Sequence, residues 1–280
     1  MLNKIKKKQN EEEMLKCQYV ARFFYNRAEK LNYLGWLCAI LAVVSTFIPE
    51  KYEVMTIVVP VIIGLMELGI QNWFEKCIEK GALLRNYFDA QVIELYRDRY
   101  SSEDIRRIKE LVYDVTEKHV RECEIQIRNT GRDNPPGVKD WYEFNNKNVE
   151  DAQFECQRMN CWWDKYESKI RIIFTYMLLI FCVAMVLAVF SLTKATWWKL
   201  FVFYPVFVTI VRRMRANQKY HEISLKIEGA KSVVSENGGI GEKLTLQRLI
   251  EEKRMLPVLQ INAIHKKIAK KLSERYERIG

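Results

Sequence analysis

Residues 172–192 read IIFTYMLLIFCVAMVLAVFSL, twenty-one positions without one charged side chain. An α-helix rises about 1.5 Å per residue, so about 17 to 25 apolar residues cross the hydrocarbon of a bilayer. Core helices of soluble proteins reach this length with a polar stripe along one side. This stretch has none and reads as a membrane span. Three other blocks share its character: 31–48 (LNYLGWLCAILAVVSTFI), 54–70 (VMTIVVPVIIGLMELGI) and 195–211 (ATWWKLFVFYPVFVTIV). The sequence therefore predicts an all-α membrane protein, four transmembrane helices arranged as two hairpins, with a helical cytoplasmic domain.

Short loops beside membrane segments keep their lysines and arginines in the cytoplasm. The first block is preceded by Lys4, Lys6, Lys7, Lys8, Lys16, Arg22, Arg27 and Lys30, and the second is followed by Lys76, Lys80 and Arg85. Lys165, Lys169 and Arg171 precede the third, and Arg212, Arg213 and Arg215 follow the fourth. The turn at 49–53 has one base against two acids, and Trp197 and Trp198 suit an outer aromatic belt. Both termini are thus expected inside. The chain divides into a cytoplasmic N-terminal helix (1–30), a first transmembrane hairpin (31–70), a cytoplasmic helical domain (71–170), a second hairpin (171–211) and a cytoplasmic C-terminal helical region (212–280). That large cytoplasmic share accounts for a mean hydropathy of −0.21 in a four-span chain.

Outside the spans, apolar residues recur at helical spacing: Met14, Val20, Phe24, Ala28 and Leu31, then Phe74, Cys77, Ile78, Leu84, Tyr87, Phe88, Val92 and Tyr96. The second span is expected to run unbroken into the cytoplasm. Ser101-Ser102-Glu103-Asp104 offers N-cap chemistry for a helix with Ile105, Ile108, Val112, Val115 and His119 on one face. NTGRDNPPGV at 129–138 is dense in turn residues, SENGGIG at 235–241 is a second break, and Ile261, Ile264, Ile268, Leu272 and Tyr276 mark a last amphipathic helix.

Candidate chemistry is sparse. His119, Cys123, Cys156 and Cys161 supply four zinc ligands if the intervening loop folds back, although one buried helix face explains the first pair as well. Seven scattered cysteines do not form a disulfide framework. Gly238 to Lys243 lacks the hydroxyl residue after the lysine and the preceding strand of a phosphate loop. No nucleophile elbow, kinase set or zinc-protease helix is present. The chain is read as a non-enzyme without cofactor, metal or nucleic-acid partner.

Within the spans, Thr56, Pro60, Gly64, Glu67 and Gln71 share one face of the second helix, while Gly35, Ala39, Ala42 and Thr46 form a small-residue seam on the first. An acid within a span is costly and faces a bundle interior or a water-filled path. Near the cytoplasmic end it also has the option of reaching the interface. Thr56, Gly64, Glu67 and Gln71 are accordingly pore-lining candidates.

Before the third block the chain reads DWYEF (140–144) and CQRMNCWWDKYESKIR (156–171). These runs resemble the signature of the SMODS-associated four-transmembrane effector family of bacteria, whose D-W-Y element is followed by C-Q-R-x-N-x-x-W-D leading into the third span. Trp141 and Tyr142 match the first element, and Cys156, Gln157, Arg158, Asn160, Trp163 and Asp164 the second. Ala21, Tyr25, Ala28 and Lys30 resemble the family's opening helix. Ser168-Lys169-Ile170-Arg171 stands where the family has a Leu-Arg pair.

The resemblance implies a pore-forming inner-membrane effector of anti-phage defence, activated by a nucleotide second messenger, a cyclic nucleotide from a partner nucleotidyltransferase. It also implies a homo-oligomer, since four spans make no wide pore. Trp141, Tyr142, Arg158, Asn160, Trp163 and Asp164 are expected to form a hydrogen-bonded joint coupling the cytoplasmic domain to the spans. The competing reading is a non-conducting membrane-anchored scaffold that binds a cytoplasmic partner.

Overall fold

The computed structural model describes residues 1–45, 52–144, 151–161, 164–193 and 200–258. Their regular structure is helical, α-helices with one short 3-10 turn at Arg97–Arg99, with no strand among them. Two short outer turns, the last amphipathic helix, Trp162, Trp163, Trp197 and Trp198 are sequence expectations outside the described residues.

Four long helices carry the architecture: α2 (Glu12–Val44), α3 (Glu53–Ile93), α7 (Asp164–Thr193) and α8 (Leu200–Asn237). α2 packs along α3 and α7 along α8, so the long helices form two pairs. Each helix continues out of its apolar block, so the boundaries at 30, 70, 170 and 211 fall inside continuous helices. The short helices α1 (Leu2–Gln9), α4 (Ser102–Lys118), α5 (Val120–Arg128), α6 (Ala152–Cys161) and α9 (Ile240–Arg254) gather around the polar ends.

The residues that recur at helical spacing make the core. Met14, Val20, Phe24 and Ala28 of α2 bury against Phe74, Ile78, Leu84, Phe88 and Val92 of α3. A second cluster joins Ile223, Ile227 and Val234 of α8 to Leu246 and Ile250 of α9. A third, among the apolar blocks, packs Ala39 and Ala42 of the small-residue seam against Cys182, Val206 and Ile210. Small side chains let these backbones approach closely.

The apolar blocks turn the rest of their surface outward. Leu37, Ile40 and Leu41 on α2, Val58, Val61, Ile62 and Leu65 on α3, and Met177, Ile180, Phe181 and Leu187 on α7 are exposed. Contiguous exposed apolar surface on this scale marks an interaction site or a membrane face. Among the described residues one stretch, Ser168–Ala188, is long and apolar enough by itself to cross a membrane.

Helix ends follow local chemistry. Ser101 caps α4 as expected: its hydroxyl accepts from the Asp104 amide at 3.1 Å, and the Asp104 carboxylate accepts from the Ser101 amide at 3.1 Å. His119 does not continue that helix; it leaves the helical region at φ −129° and starts α5. α8 stops where Gly238 enters the left-handed region at φ +61°.

The turn-rich stretch at 129–138 is an ordered latch. Gly137 donates to the Thr130 carbonyl at 2.6 Å, Val138 to Gln126 at 2.8 Å and Lys139 to Asn129 at 3.0 Å. Arg22 of α2 reaches the Pro136 carbonyl at 2.8 Å. A Cβ on Gly137 would sit 1.8 Å from the Asn129 carbonyl oxygen, an impossible approach to rigid backbone. Gly137→Ala is expected to cost about 3 kcal/mol, the upper end of the usual range for overpacking, read as a drop in melting temperature of the detergent-solubilised protein. Gly131→Ala, where nothing lies within 4 Å, is the matched control and should change little.

Candidate functional site: a buried polar clasp

The latch delivers Asp140, Trp141 and Tyr142 to the surface of α3. Asn10, just after α1, holds Asp140 from two sides: its side-chain amide donates to the carboxylate at 2.7 Å and its oxygen accepts the Asp140 amide at 3.0 Å. Gln9 does the same for the Tyr142 backbone, accepting its N–H at 2.8 Å and donating to its carbonyl at 3.3 Å. The N-terminal helix thus clamps the D-W-Y segment backbone to side chain.

Tyr142 in turn points its phenol at Asp89 of α3, donating at 2.6 Å. Asp89 is fully buried, at 0% exposure. Asn160 of α6 bridges the pair, donating to the phenol oxygen at 2.9 Å and to Asp89 at 3.2 Å. Arg254, at the end of α9, donates to Asp89 at 2.8 Å and to Asn86 at 3.1 Å. Trp141 lies over the Arg85 guanidinium, 4.4 Å from ring centre to Cζ, with Tyr25 of α2 also facing it at 5.2 Å. One carboxylate therefore ties together α3, α6, α9 and the D-W-Y segment, which α1 in turn secures.

A lone buried carboxylate is strongly disfavoured, and this one persists because a guanidinium and two neutral donors surround it. Burial, and then the Asp89 charge, hold the Tyr142 phenol well above its ordinary value. Since folding raises that value, the phenol's contribution to stability is complete below about pH 10 and is lost as pH rises through the folded value. Burial, the largest single influence, would depress Arg254, but Asp89 together with Tyr142 and Tyr25 outweighs it and raises the guanidinium. Among the described residues Asp89, Tyr142, Asn160 and Arg254 leave no buried polar side-chain atom without a partner, whereas Arg85 Nε and Gln157 Oε1 at the margin have none. A network satisfied at its centre rigidifies a junction and specifies one arrangement. The clasp holds these elements in one arrangement around the fully buried Asp89 carboxylate.

The flanking motif residues serve the same junction. Gln157 donates to the Lys243 carbonyl at 2.8 Å and to Gln247 at 3.2 Å, and Gln153 to the Ile93 carbonyl at 2.8 Å. Lys243, the lysine of the glycine-rich turn, pairs with Asp151, and Glu251 pairs with Arg99. Arg158 pairs one turn back with Glu155 at 2.9 Å. Asp164 opens α7, and Trp163 is outside the described residues. Of the six sequence-derived coupling residues, the structure brings Tyr142 and Asn160 into direct contact and sets Trp141 beside them. Asp89, Asn86, Arg85, Arg254, Gln9 and Asn10 were not among the candidates. An acid embedded in the apolar run NYFDAQVI was the signal that marks Asp89.

Among the described residues no three His, Cys, Asp or Glu side chains gather as a metal ion requires. His119 lies against the Phe23 ring at 4.9 Å, Cys123 and Cys156 belong to the first core cluster, and Cys161 to the second. All seven cysteines are buried free thiols.

At the membrane-side end, Glu67 is 5% exposed and accepts a hydrogen bond from Thr209 of α8 at 2.5 Å. It turns into the bundle between the two hairpins and does not reach outward. Gln71 bonds Glu75 at 2.7 Å, Gly64 is half-buried, and the Thr56 side chain lies outside the described residues. Arg213 donates to Asn32 at 2.6 Å and lies 4.3 Å over Trp36, a second link between the hairpins.

A family model described as a SMODS-associating 4TM effector domain matches residues 3–236. The chain belongs to this family. No curated protein and no solved structure matches it. The family description carries a membrane location and an effector role in defence, coupled to a signal made by a nucleotidyltransferase. The D-W-Y and C-Q-R-x-N elements lie inside the matched residues, whereas Arg254, their charge partner through Asp89, lies beyond them.

Proposed function

We propose that this chain is a four-span inner-membrane effector that self-associates and permeabilises the bilayer after a cyclic nucleotide from a partner nucleotidyltransferase arrives. It acts without catalysis, with both termini and the clasp in the cytoplasm. The observation that carries the reading is the outward apolar surface on α2, α3 and α7, continuous through single long helices with a buried polar junction. A signal that strains the clasp is delivered to the spans through helices that do not break.

Purified protein in liposomes should leak ions, and the leak should rise with a cyclic dinucleotide. Tight, partner-dependent membrane anchoring with no leak under any nucleotide would establish the scaffold reading in its place. Topology is tested by thiol labelling of intact cells: Glu50→Cys and Lys194→Cys should label from outside, and Lys118→Cys and Ser232→Cys only after lysis. The native thiols Cys123 and Cys156 are buried and, by desolvation, raised above the ordinary thiol value, so their silence reports nothing.

A further inference from the structure

A cleft of about 260 Å³ opens where all four long helices meet at the cytoplasmic edge of the apolar blocks. α2 contributes Asn32 and Trp36, α3 Gln71, α7 Arg171 and α8 Arg212 and Arg213, and the chain after α9 closes one end with Pro257 and Val258. Three guanidiniums line it against one carboxylate, Glu29. Like charges in a confined, half-apolar cavity repel strongly, so an anion placed among these guanidiniums is favoured.

The arginines are positioned by the chain. Arg171 is 5% exposed and lies 4.4 Å over the Tyr220 ring. Arg213 is held flat on Trp36 and fastened to Asn32, and its Nε is buried with no acceptor among the described residues. Planar guanidiniums fixed in this way present paired donors that match phosphate oxygens. Phe174, exposed on the lipid-facing side of α7, lines the same cleft, so the cavity is continuous with the outward apolar surface. Its volume falls below the roughly 300–1,000 Å³ usual for whole small-molecule sites and suits a single charged headgroup. Basic pockets between spans on the cytoplasmic side hold anionic headgroups in this manner.

We propose that this cleft binds a phosphate-bearing anion, supplied by the headgroup of an anionic phospholipid whose acyl chains leave past Phe174. The bound phosphate accepts from the clustered guanidiniums of α7 and α8 and joins them to α2. The lipid source rests on the membrane reading above, whereas the phosphate chemistry does not.

The test uses the full chain in detergent, titrated with phosphatidylglycerol or phosphatidylcholine and read by native mass spectrometry. Phosphatidylglycerol should be retained at least several-fold better than phosphatidylcholine. Arg212→Gln should abolish that preference and Arg212→Lys should largely restore it. Equal retention of the two lipids removes the anionic-lipid source, and a preference untouched by Arg212→Gln, or no Arg212-dependent response to lipid or phosphate, overturns the proposal. Inorganic phosphate separates the sources and serves even if Arg212→Gln misfolds. Displacement of phosphatidylglycerol from the unaltered chain by phosphate supports guanidinium capture of the headgroup, and undisturbed binding overturns it. Arg212-dependent thermal stabilisation by phosphate, without any lipid preference, keeps the phosphate site and removes the lipid source. These readouts need no conduction, so a chain that fails to leak ions leaves them intact.

Discussion

Arg254→Ala is expected to lower unfolding free energy by about 3–5 kcal/mol, because it leaves the buried Asp89 carboxylate without its counter-charge. Asp89→Ala should cost a similar amount by stranding Arg254, whose side chain is 10% exposed. The two losses should not add, since both variants remove one interaction. The double variant Asp89→Leu with Arg254→Met deletes both charges and fills the space with apolar atoms. Such replacements of buried ion pairs are often neutral or stabilising. Because the Tyr142 hydroxyl also loses Asp89 as its acceptor, about 1–3 kcal/mol of the loss should remain and the rest of the melting temperature should return. Activity then separates two roles for the clasp. If it only holds the fold, the double variant regains toxicity along with stability. If it couples the cytoplasmic domain to the spans, stability returns and nucleotide-dependent toxicity does not. Full toxicity in the double variant at equal expression would remove the clasp from signal transmission.

The helices were legible in the sequence because their information is local. A 3.6-residue apolar period named Val20, Phe24, Phe74, Ile78 and Phe88, which form the core, and Ser101 with Asp104 named a cap that closes as expected. The break at 119 was not legible, since His119 continues the apolar face and no glycine, proline or cap residue marks the point where the backbone leaves helical geometry. The clasp was half legible. Tyr142 and Asn160 stood out through a family motif, but their shared acceptor, Asp89, lies 53 residues before Tyr142 and hides in an apolar run. Arg254 is 165 residues from Asp89, and no spacing rule connects them. The clamps at Gln9 and Asn10 are invisible for another reason: three of their four bonds to the D-W-Y segment are to backbone, and backbone partners leave no mark on residue identity.

Glu67 is expected to control ion selectivity if the inward face of α3 becomes a pathway. In the chain as described its carboxylate is sealed between hairpins, accepting from Thr209, so conduction requires α3 and α8 to part or to rotate their contact. An acid released onto a water-filled path attracts cations, as acidic rings do in cation channels. Glu67→Gln keeps an oxygen for Thr209 and removes the charge, and should lower cation preference with little change in folding. Thr209→Val removes the donor and keeps the acid. It leaves a buried carboxylate with one partner fewer, which favours the opened arrangement, so it should raise basal leak while preserving cation preference. Glu67→Lys places a cation in the same apolar region as Arg213 and should reverse selectivity or abolish current. Reversal potentials in asymmetric salt distinguish these outcomes. An unchanged reversal potential for a folded, inserted Glu67→Lys protein removes the Glu67 face of α3 from the pathway and leaves the residue as a hairpin-to-hairpin bond alone.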